Sequence, residues 1–217
     1  MTRACIFDMD GVLIDSGAHH RHAWQALVKE LGVELRDPEF WRLSIGRRAE
    51  DAVPLILGRA VSPSEARQLA QRKRELYAEL SRQGTETVEG VVDFIDELAQ
   101  LGVPRAVGTS ATRPDVDALL GELRLLERFD AIVTAEDVTR GKPDPQVYLE
   151  AARRLAVAPA DCVVFEDAIS GVQAARTAGM RAIGVTTAHT RGELAAAGAE
   201  AAIDDFRGAR WSTFARR

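Results

Sequence analysis

The chain has 217 residues, 46% hydrophobic and 28% charged, with a formal net charge of −5. That length is enough for one α/β domain with a sizeable core plus a smaller companion. Acidic and basic residues mixed along the whole chain offer no electrostatic handle for nucleic acid or an anionic membrane surface, no stretch approaches the roughly 20 apolar residues of a membrane span, and no leader pattern opens the chain, so the cytoplasm is the expected location.

The first predicted element is the apolar run Ala4-Cys5-Ile6-Phe7, which stops in Asp8-Met9-Asp10-Gly11. Strand side chains repeat every second residue, so Asp8 and Asp10 are expected on the same side, and Gly11 lets the backbone turn away at an angle other residues resist. Asp15-Ser16 is placed to cap a helix carrying Trp24, Leu27, Val28 and Leu31 and stopping at Gly32. From there to about Gln83 no strand pattern appears. Helices are expected over 49–57 and from Ser64 to about Leu80, the second started by the capping sequence Ser62-Pro63-Ser64-Glu65. Such a helical insertion predicts a separate lobe, joined by crossings near Ser16 and Thr87 that act as hinges.

From Val88 helices and strands alternate. Helices are expected over 91–101, 115–120, 145–155 and 169–178, and strands over 104–108, 131–134, 162–165, 182–185 and 201–203, the last preceded by an Ala-rich patch. Cys5 and Cys162 fall in strand interiors and read as small buried hydrophobes. The alternation implies a parallel, doubly wound sheet, whose strand ends share one edge. Asp8 and Asp10, Thr109 and Ser110, and Glu166 and Asp167 all follow such ends, so they are expected around one crevice. Lys142, in the Pro-flanked loop Arg140-Gly141-Lys142-Pro143-Asp144-Pro145, would present a cation there from a fixed place. Carboxylates crowded together repel, and a hard divalent cation such as Mg2+ is the natural counter-ion.

An apolar strand closing in Asp-x-Asp-Gly, followed in order by Thr109-Ser110, Lys142 and Glu166-Asp167, resembles the four motifs of the haloacid dehalogenase-like hydrolases, most of which are Mg2+-dependent phosphatases. The resemblance covers essentially the whole chain. It implies a Rossmann-like parallel-sheet core, residues 1–16 plus 85–217, with an inserted all-helical cap, residues 17–84. It implies Asp8 as the nucleophile that forms an aspartyl-phosphate, and Asp10 as general acid and then general base. Mg2+ would be held by Asp8, the backbone carbonyl of Asp10 and Asp167, with Glu166 a direct or indirect partner. Thr109 or Ser110, together with Lys142, would bind the phosphoryl oxygens.

Around His20, Trp24 and Lys73 the chain is similar to the β-phosphoglucomutase-like branch with a small helical cap. His20, Lys73, Arg47 and Arg48 are then candidates to touch substrate, although His20, Arg47 and Arg48 also read as solvated surface groups; Trp24 and Trp41 read as packing residues. The mutase branch needs a cap arginine for a distal phosphate, and Ala49 holds that place here, with Arg48 one residue earlier; Arg113 stands where the mutase has a neutral amide. The expected function is therefore hydrolysis of a small phosphomonoester, a sugar phosphate or related metabolite, by a monomer. A sugar-phosphate mutase is the second reading and a non-catalytic phosphometabolite-binding protein the third. Dehalogenation requires neither the metal nor the second aspartate, so Asp10 and Glu166-Asp167 speak against it.

Overall fold

Six short strands, β1 (Ala4–Phe7), β2 (Arg105–Gly108), β3 (Ala131–Val133), β4 (Cys162–Glu166), β5 (Arg181–Val185) and β6 (Ala201–Ile203), form one parallel sheet in the order β3-β2-β1-β4-β5-β6. The structure is a computed structural model and describes residues 2–35, 37, 39–81 and 84–215. The strand order reverses at β1, and a doubly wound sheet opens its binding crevice at that switch point, beyond the carboxyl ends of the strands. The central strands are unbroken apolar runs because both faces of the sheet are covered.

One face packs against α4 (Val91–Gln100), α5 (Arg113–Glu122) and α9 (Trp211–Phe214); the other packs against α6 (Gln146–Arg154), α7 (Ile169–Thr177) and α8 (Arg191–Ala197). Phe7 of β1 stacks on Phe165 of β4 with ring centroids 5.2 Å apart, and Phe94 and Phe206 close around both. All four rings are fully buried, and each contributes about 1.5–3 kcal/mol of burial free energy. This packing fixes the ends of the two strands that lead into Asp8 and Asp167.

The helices α1 (Gly17–Glu30), α2 (Ala49–Leu57) and α3 (Pro63–Leu80) pack on one another through a separate cluster that includes Trp24, Leu27, Val53, Ile56 and Leu76. Ser62 caps α3 as its sequence predicts, its hydroxyl accepting from the Glu65 N–H. The outgoing and returning segments pair with each other: Ile14 bridges Thr87, and Asp15 N–H donates to Glu86 O. The two expected hinges are therefore one two-stranded neck. The expected end of the helical region at Gln83 lies outside the described residues.

Some elements differ from expectation. The Ala-rich patch contains α8, which starts in a capping box between Thr190 and Glu193 and ends at Gly198 with φ +110°. The box was present in the sequence as Thr-x-x-Glu, and alanine-rich composition masked the apolar periodicity that usually reveals a helix. α5 begins at Arg113, where Pro114 suits a first turn. The short α9 and a 3-10 turn over Phe40–Ser44 have too few residues to show a period. Among the described residues no helix is long and apolar enough to cross a membrane.

Candidate active site

Register brings the site together. Phe7 pairs with Val107 on one side and with Phe165 on the other, so β1, β2 and β4 leave the sheet side by side and deliver Asp8, Thr109 and Glu166-Asp167 to one edge. β1 itself ends at Phe7, so strand alternation does not place Asp8 and Asp10. A tight turn does, in which Leu13 and Ile14 N–H groups donate to Met9 O. Gly11, at φ +74°, lets this turn lie against Asp167; a Cβ there would fall 2.0 Å from Asp167 Oδ2.

Lys142 Nζ donates to Asp8 Oδ1 at 2.8 Å and to Glu166 Oε1 at 2.7 Å, with all three side chains buried. Glu166 is fully engaged, because Tyr148 OH donates to Oε1 at 2.9 Å and the Ala168 N–H donates to Oε2 at 2.6 Å. Two glycines make room for this arrangement: a Cβ on Gly171 would lie 1.6 Å from Glu166 Oε1, and one on Gly108 would press on the Tyr148 ring. Glu166 and Tyr148 thus fix the ammonium that faces Asp8. Asp167 differs from its neighbour. Its Oδ1 is buried with no hydrogen-bond partner, while its backbone carbonyl meets His189 Nδ1 at 2.9 Å and Thr187 Oγ1 bonds the facing Gly11 O at 2.6 Å.

One oxygen each from Asp8, Glu166 and Asp167 lies within 4.8 Å of the others. Burial, with Glu166 and Asp10 adding to it and Lys142 opposing it, pushes the Asp8 carboxyl up to about 7. Burial and the neighbouring Glu166 and Asp8 push Asp167 well above the carboxylate range. Among three carboxylates there is one ammonium, bonded to Asp8 and Glu166, so the cluster is short of positive charge. All-oxygen donors, the unpartnered Asp167 Oδ1 and the clearance at Gly11 fit a hard divalent cation such as Mg2+.

The Asp10 carboxyl faces the helical lobe instead. Ser16 Oγ donates to Asp10 Oδ1 at 2.6 Å, and His20 Nε2 lies 2.9 Å from the same oxygen. Ser16 occupies the N-cap position of α1 yet makes no side-chain cap bond, because its hydroxyl is turned onto Asp10. Lys73 Nζ bonds His20 Nδ1, and an ammonium only donates, so Nδ1 accepts and the His20 proton sits on Nε2, pointing at Asp10. Burial and the Lys73 charge lower the His20 pKa. Burial would raise Asp10, but His20 and Ser16 outweigh it and bring the carboxyl down to about 2.

A cavity of about 310 Å3 opens over Asp8, Asp10 and Asp167 and is lined from the helical lobe by His20, Lys73 and Arg47. Thr109 also lines it; its oxygen accepts from Ala111 N–H, leaving the hydroxyl proton available to a ligand. Ser110 lines it too, but its hydroxyl donates to Gly46 O at 2.9 Å, while Ser170 donates to Ile45 O at 3.2 Å from the opposite flank. Arg48 departs from expectation: it is not in the lining, and its guanidinium donates to Val138 O at 2.8 Å and Thr139 O at 3.3 Å, on the stretch that leads to Lys142. The extended backbone at Arg48, just before α2, sends that side chain to the core rather than to the cavity. Arg113 is likewise away from the cavity, donating to Ile132 O of β3. Tyr148, Thr187 and His189 had no sequence signal of their own, since each acts through a partner distant in the chain, and Ser16 read only as a helix cap.

Lys73 is 5% exposed, and burial lowers its ammonium to about 8 from the ordinary 10.5 while Asp10 and Asp115 pull the other way. A folded-state pKa below the unfolded one means that the cost of burying the charge is present in full below about pH 8 and fades as pH rises towards 10.5. Denaturant titrations of the parent chain should therefore gain about 2–3 kcal/mol across that window relative to Lys73→Met, which has no such group to titrate.

The family model described as haloacid dehalogenase-like hydrolase matches residues 5–185, from β1 through the helical lobe to the end of β5. The chain belongs to the haloacid dehalogenase-like hydrolases. Within them it is a phosphatase-type enzyme of the β-phosphoglucomutase-like branch. This hydrolase is 36% identical over 216 residues to validoxylamine A 7'-phosphate phosphatase of Streptomyces hygroscopicus subsp. limoneus, with 97% of each chain covered. It is 35% identical over 189 residues to a fructose-1-phosphate phosphatase of Escherichia coli, covering 83% of this chain and 94% of the relative, and 32% identical over 189 residues to β-phosphoglucomutase of Bacillus subtilis, covering 84% and 83%. Among solved structures, the hydrolase superposes on CbbY from Rhodobacter sphaeroides in complex with phosphate with a TM-score of 0.79, 29% identity and 95% of each chain covered.

Proposed function

We propose that this hydrolase is an Mg2+-dependent phosphatase that cleaves a small phosphomonoester, a sugar phosphate or related metabolite, through an aspartyl-phosphate on Asp8. Residues 17–84 act as the cap and residues 1–16 with 85–217 as the core of a cytoplasmic monomer. The observation that carries this reading is the buried Asp8–Lys142–Glu166 chain beside the unpartnered Oδ1 of Asp167, at the floor of a cavity that also admits Asp10. Mg2+ would be held by Asp8, Asp167 and the Asp10 backbone carbonyl, with Glu166 behind them, and when bound it offsets the repulsion between an anionic nucleophile and an anionic phosphate.

The chain's own groups do the rest. Lys142 holds Asp8 Oδ1 and leaves Oδ2 to attack phosphorus. The Lys142 ammonium and the Thr109 hydroxyl stabilise charge on the equatorial oxygens. Asp10 is ionised in the resting site; the negative charge of an arriving phosphate raises its proton affinity, so that it takes up a proton from solvent as substrate binds and passes that proton to the leaving oxygen. Ionised again, it removes a proton from the water that hydrolyses the aspartyl-phosphate. The contacts of Ser110 and Ser170 with the Ile45-Gly46 carbonyls keep the cap seated and bulk water out.

Engagement of Arg48 with core carbonyls, and Ala49 beside it, leaves no arginine at the place the mutase reading requires, which supports water as acceptor. The phosphatase relatives, named for small phosphorylated substrates, support the same choice. The test is phosphate release from a panel of small phosphomonoesters with and without Mg2+; release only with the metal is expected, and conversion to an isomeric phosphate without release would favour the mutase. Chelator-treated protein should also gain several degrees of Tm on adding Mg2+ at about pH 7.5 and less at about pH 5, where protons compete for the carboxylates.

A further inference from the structure

The core wall of the cavity carries a carboxylate that the chemistry above does not use. α5 sets Asp115 in its first turn, half-buried, and Thr112 Oγ1 donates to Asp115 Oδ2 at 2.6 Å, which fixes the carboxylate's orientation. The other oxygen has no partner among the described residues, and both Thr112 and Asp115 line the cavity. The charge acts across the gap between the lobes, since it helps retain the protons of His20 and Lys73 on the cap.

On the cap wall of the same cavity few donors are not already engaged. Arg74 is tied to Glu50 and Gln71, and Arg21 lies over the Trp41 ring at 5.7 Å. Arg47 lines the same cavity, and its guanidinium makes no hydrogen bond or ion pair with the described residues. The cavity thus has a fixed acceptor on its core wall and an unengaged donor on its cap wall. Neighbouring hydroxyls satisfy both, one donating to Asp115 and the next accepting from Arg47. A second phosphate would bring two like charges together in a confined space, and such juxtaposition is how sites reject a wrong ligand.

Resting on the phosphatase reading, we propose that Asp115 determines specificity: it accepts hydrogen bonds from hydroxyl or ammonium groups of a leaving group that carries no second anion, and it turns bisphosphates away. The cavity volume of about 310 Å3 suits a group of sugar size. Asp115→Asn keeps an oxygen for the Thr112 hydroxyl and removes only the charge, so the fold of α5 is retained.

The experiment is calorimetric titration in the Asp8→Asn background with Mg2+ present, using a hexitol 1-phosphate and the corresponding 1,6-bisphosphate, which differ only at the hydroxyl that the second phosphate replaces. The monophosphate should bind at least about tenfold more tightly than the bisphosphate, and Asp115→Asn should reduce that ratio to about threefold or less. Asp115→Glu, which restores the charge, should restore the preference. Equal affinities in the Asp8→Asn chain, or a preference that Asp115→Asn leaves unchanged, would overturn the proposal. Phosphate release by the Asp8→Asn chain would instead count against the aspartyl-phosphate mechanism, while the binding ratio would still decide the role of Asp115.

Discussion

Asp8→Asn is expected to lower kcat by at least about ten-thousandfold while making the metal-free protein more stable at pH 8. The amide keeps an oxygen for Lys142 and the same shape, so the core is undisturbed, but it has neither the charge nor the electron pair that attacks phosphorus. The stability gain follows from burial. Asp8 is 3% exposed, and its carboxyl is raised to about 7 from an ordinary 3.8, so the folded state holds its proton more tightly than the unfolded state does. That group's contribution is fully present below its unfolded pKa and is lost as pH rises through the folded one. Above about pH 7 the ionised Asp8 therefore weighs against folding, and Asp8→Asn removes a penalty of about 2–4 kcal/mol. Denaturant titration at pH 5 and pH 8 without metal reads the difference. Lost activity with gained stability marks a residue kept for chemistry rather than for the fold.

Lys142→Ala is expected to act in the opposite sense on stability. Removing a preorganised cation from the phosphoryl site should lower kcat by about a hundred- to a thousandfold. It also leaves Asp8 and Glu166 buried without their shared ammonium, at a cost of about 3–5 kcal/mol near neutral pH. Burial alone would pull the Lys142 ammonium down, but Asp8 and Glu166 raise it well above the usual lysine value, so it stays charged throughout the neutral range. Without it the buried Asp8 carboxyl, already raised, takes up its proton still more readily in the folded state than in the unfolded one, so the deficit should shrink as pH falls from 7 towards about 4. Adding Asp8→Asn to Lys142→Ala should recover part of the lost stability and none of the activity. Such non-additivity, read by denaturant titration, is expected of two groups in direct contact.

The parallel sheet and the edge where the chemistry gathers were legible because each central strand is a continuous apolar run that stops abruptly in Asp, Thr or Glu. Ser62-Pro63-Ser64-Glu65 announced α3 for a similarly local reason, since the cap bond spans three residues. What escaped is the work done by partners distant in sequence. Ser16 carries a helix-cap signature, yet its hydroxyl goes to Asp10, and only the folded neck makes that choice available. Glu166 and Asp167 are adjacent acids, and nothing in their order says that one would be occupied by Lys142, Tyr148 and the Ala168 N–H while the other kept an unpartnered oxygen. Arg47 and Arg48 are likewise adjacent; local backbone at the start of α2 sends one to the cavity and the other to the core.

The most direct test is to quench the Mg2+-loaded hydrolase in acid during steady-state turnover of a phosphomonoester and to map its peptides by mass spectrometry. A turnover-dependent phosphoryl group on Asp8, absent from the Asp8→Asn chain, is the expected result. A phosphoryl group that accumulates on a different residue, or equal labelling of the Asp8→Asn chain, would contradict the account.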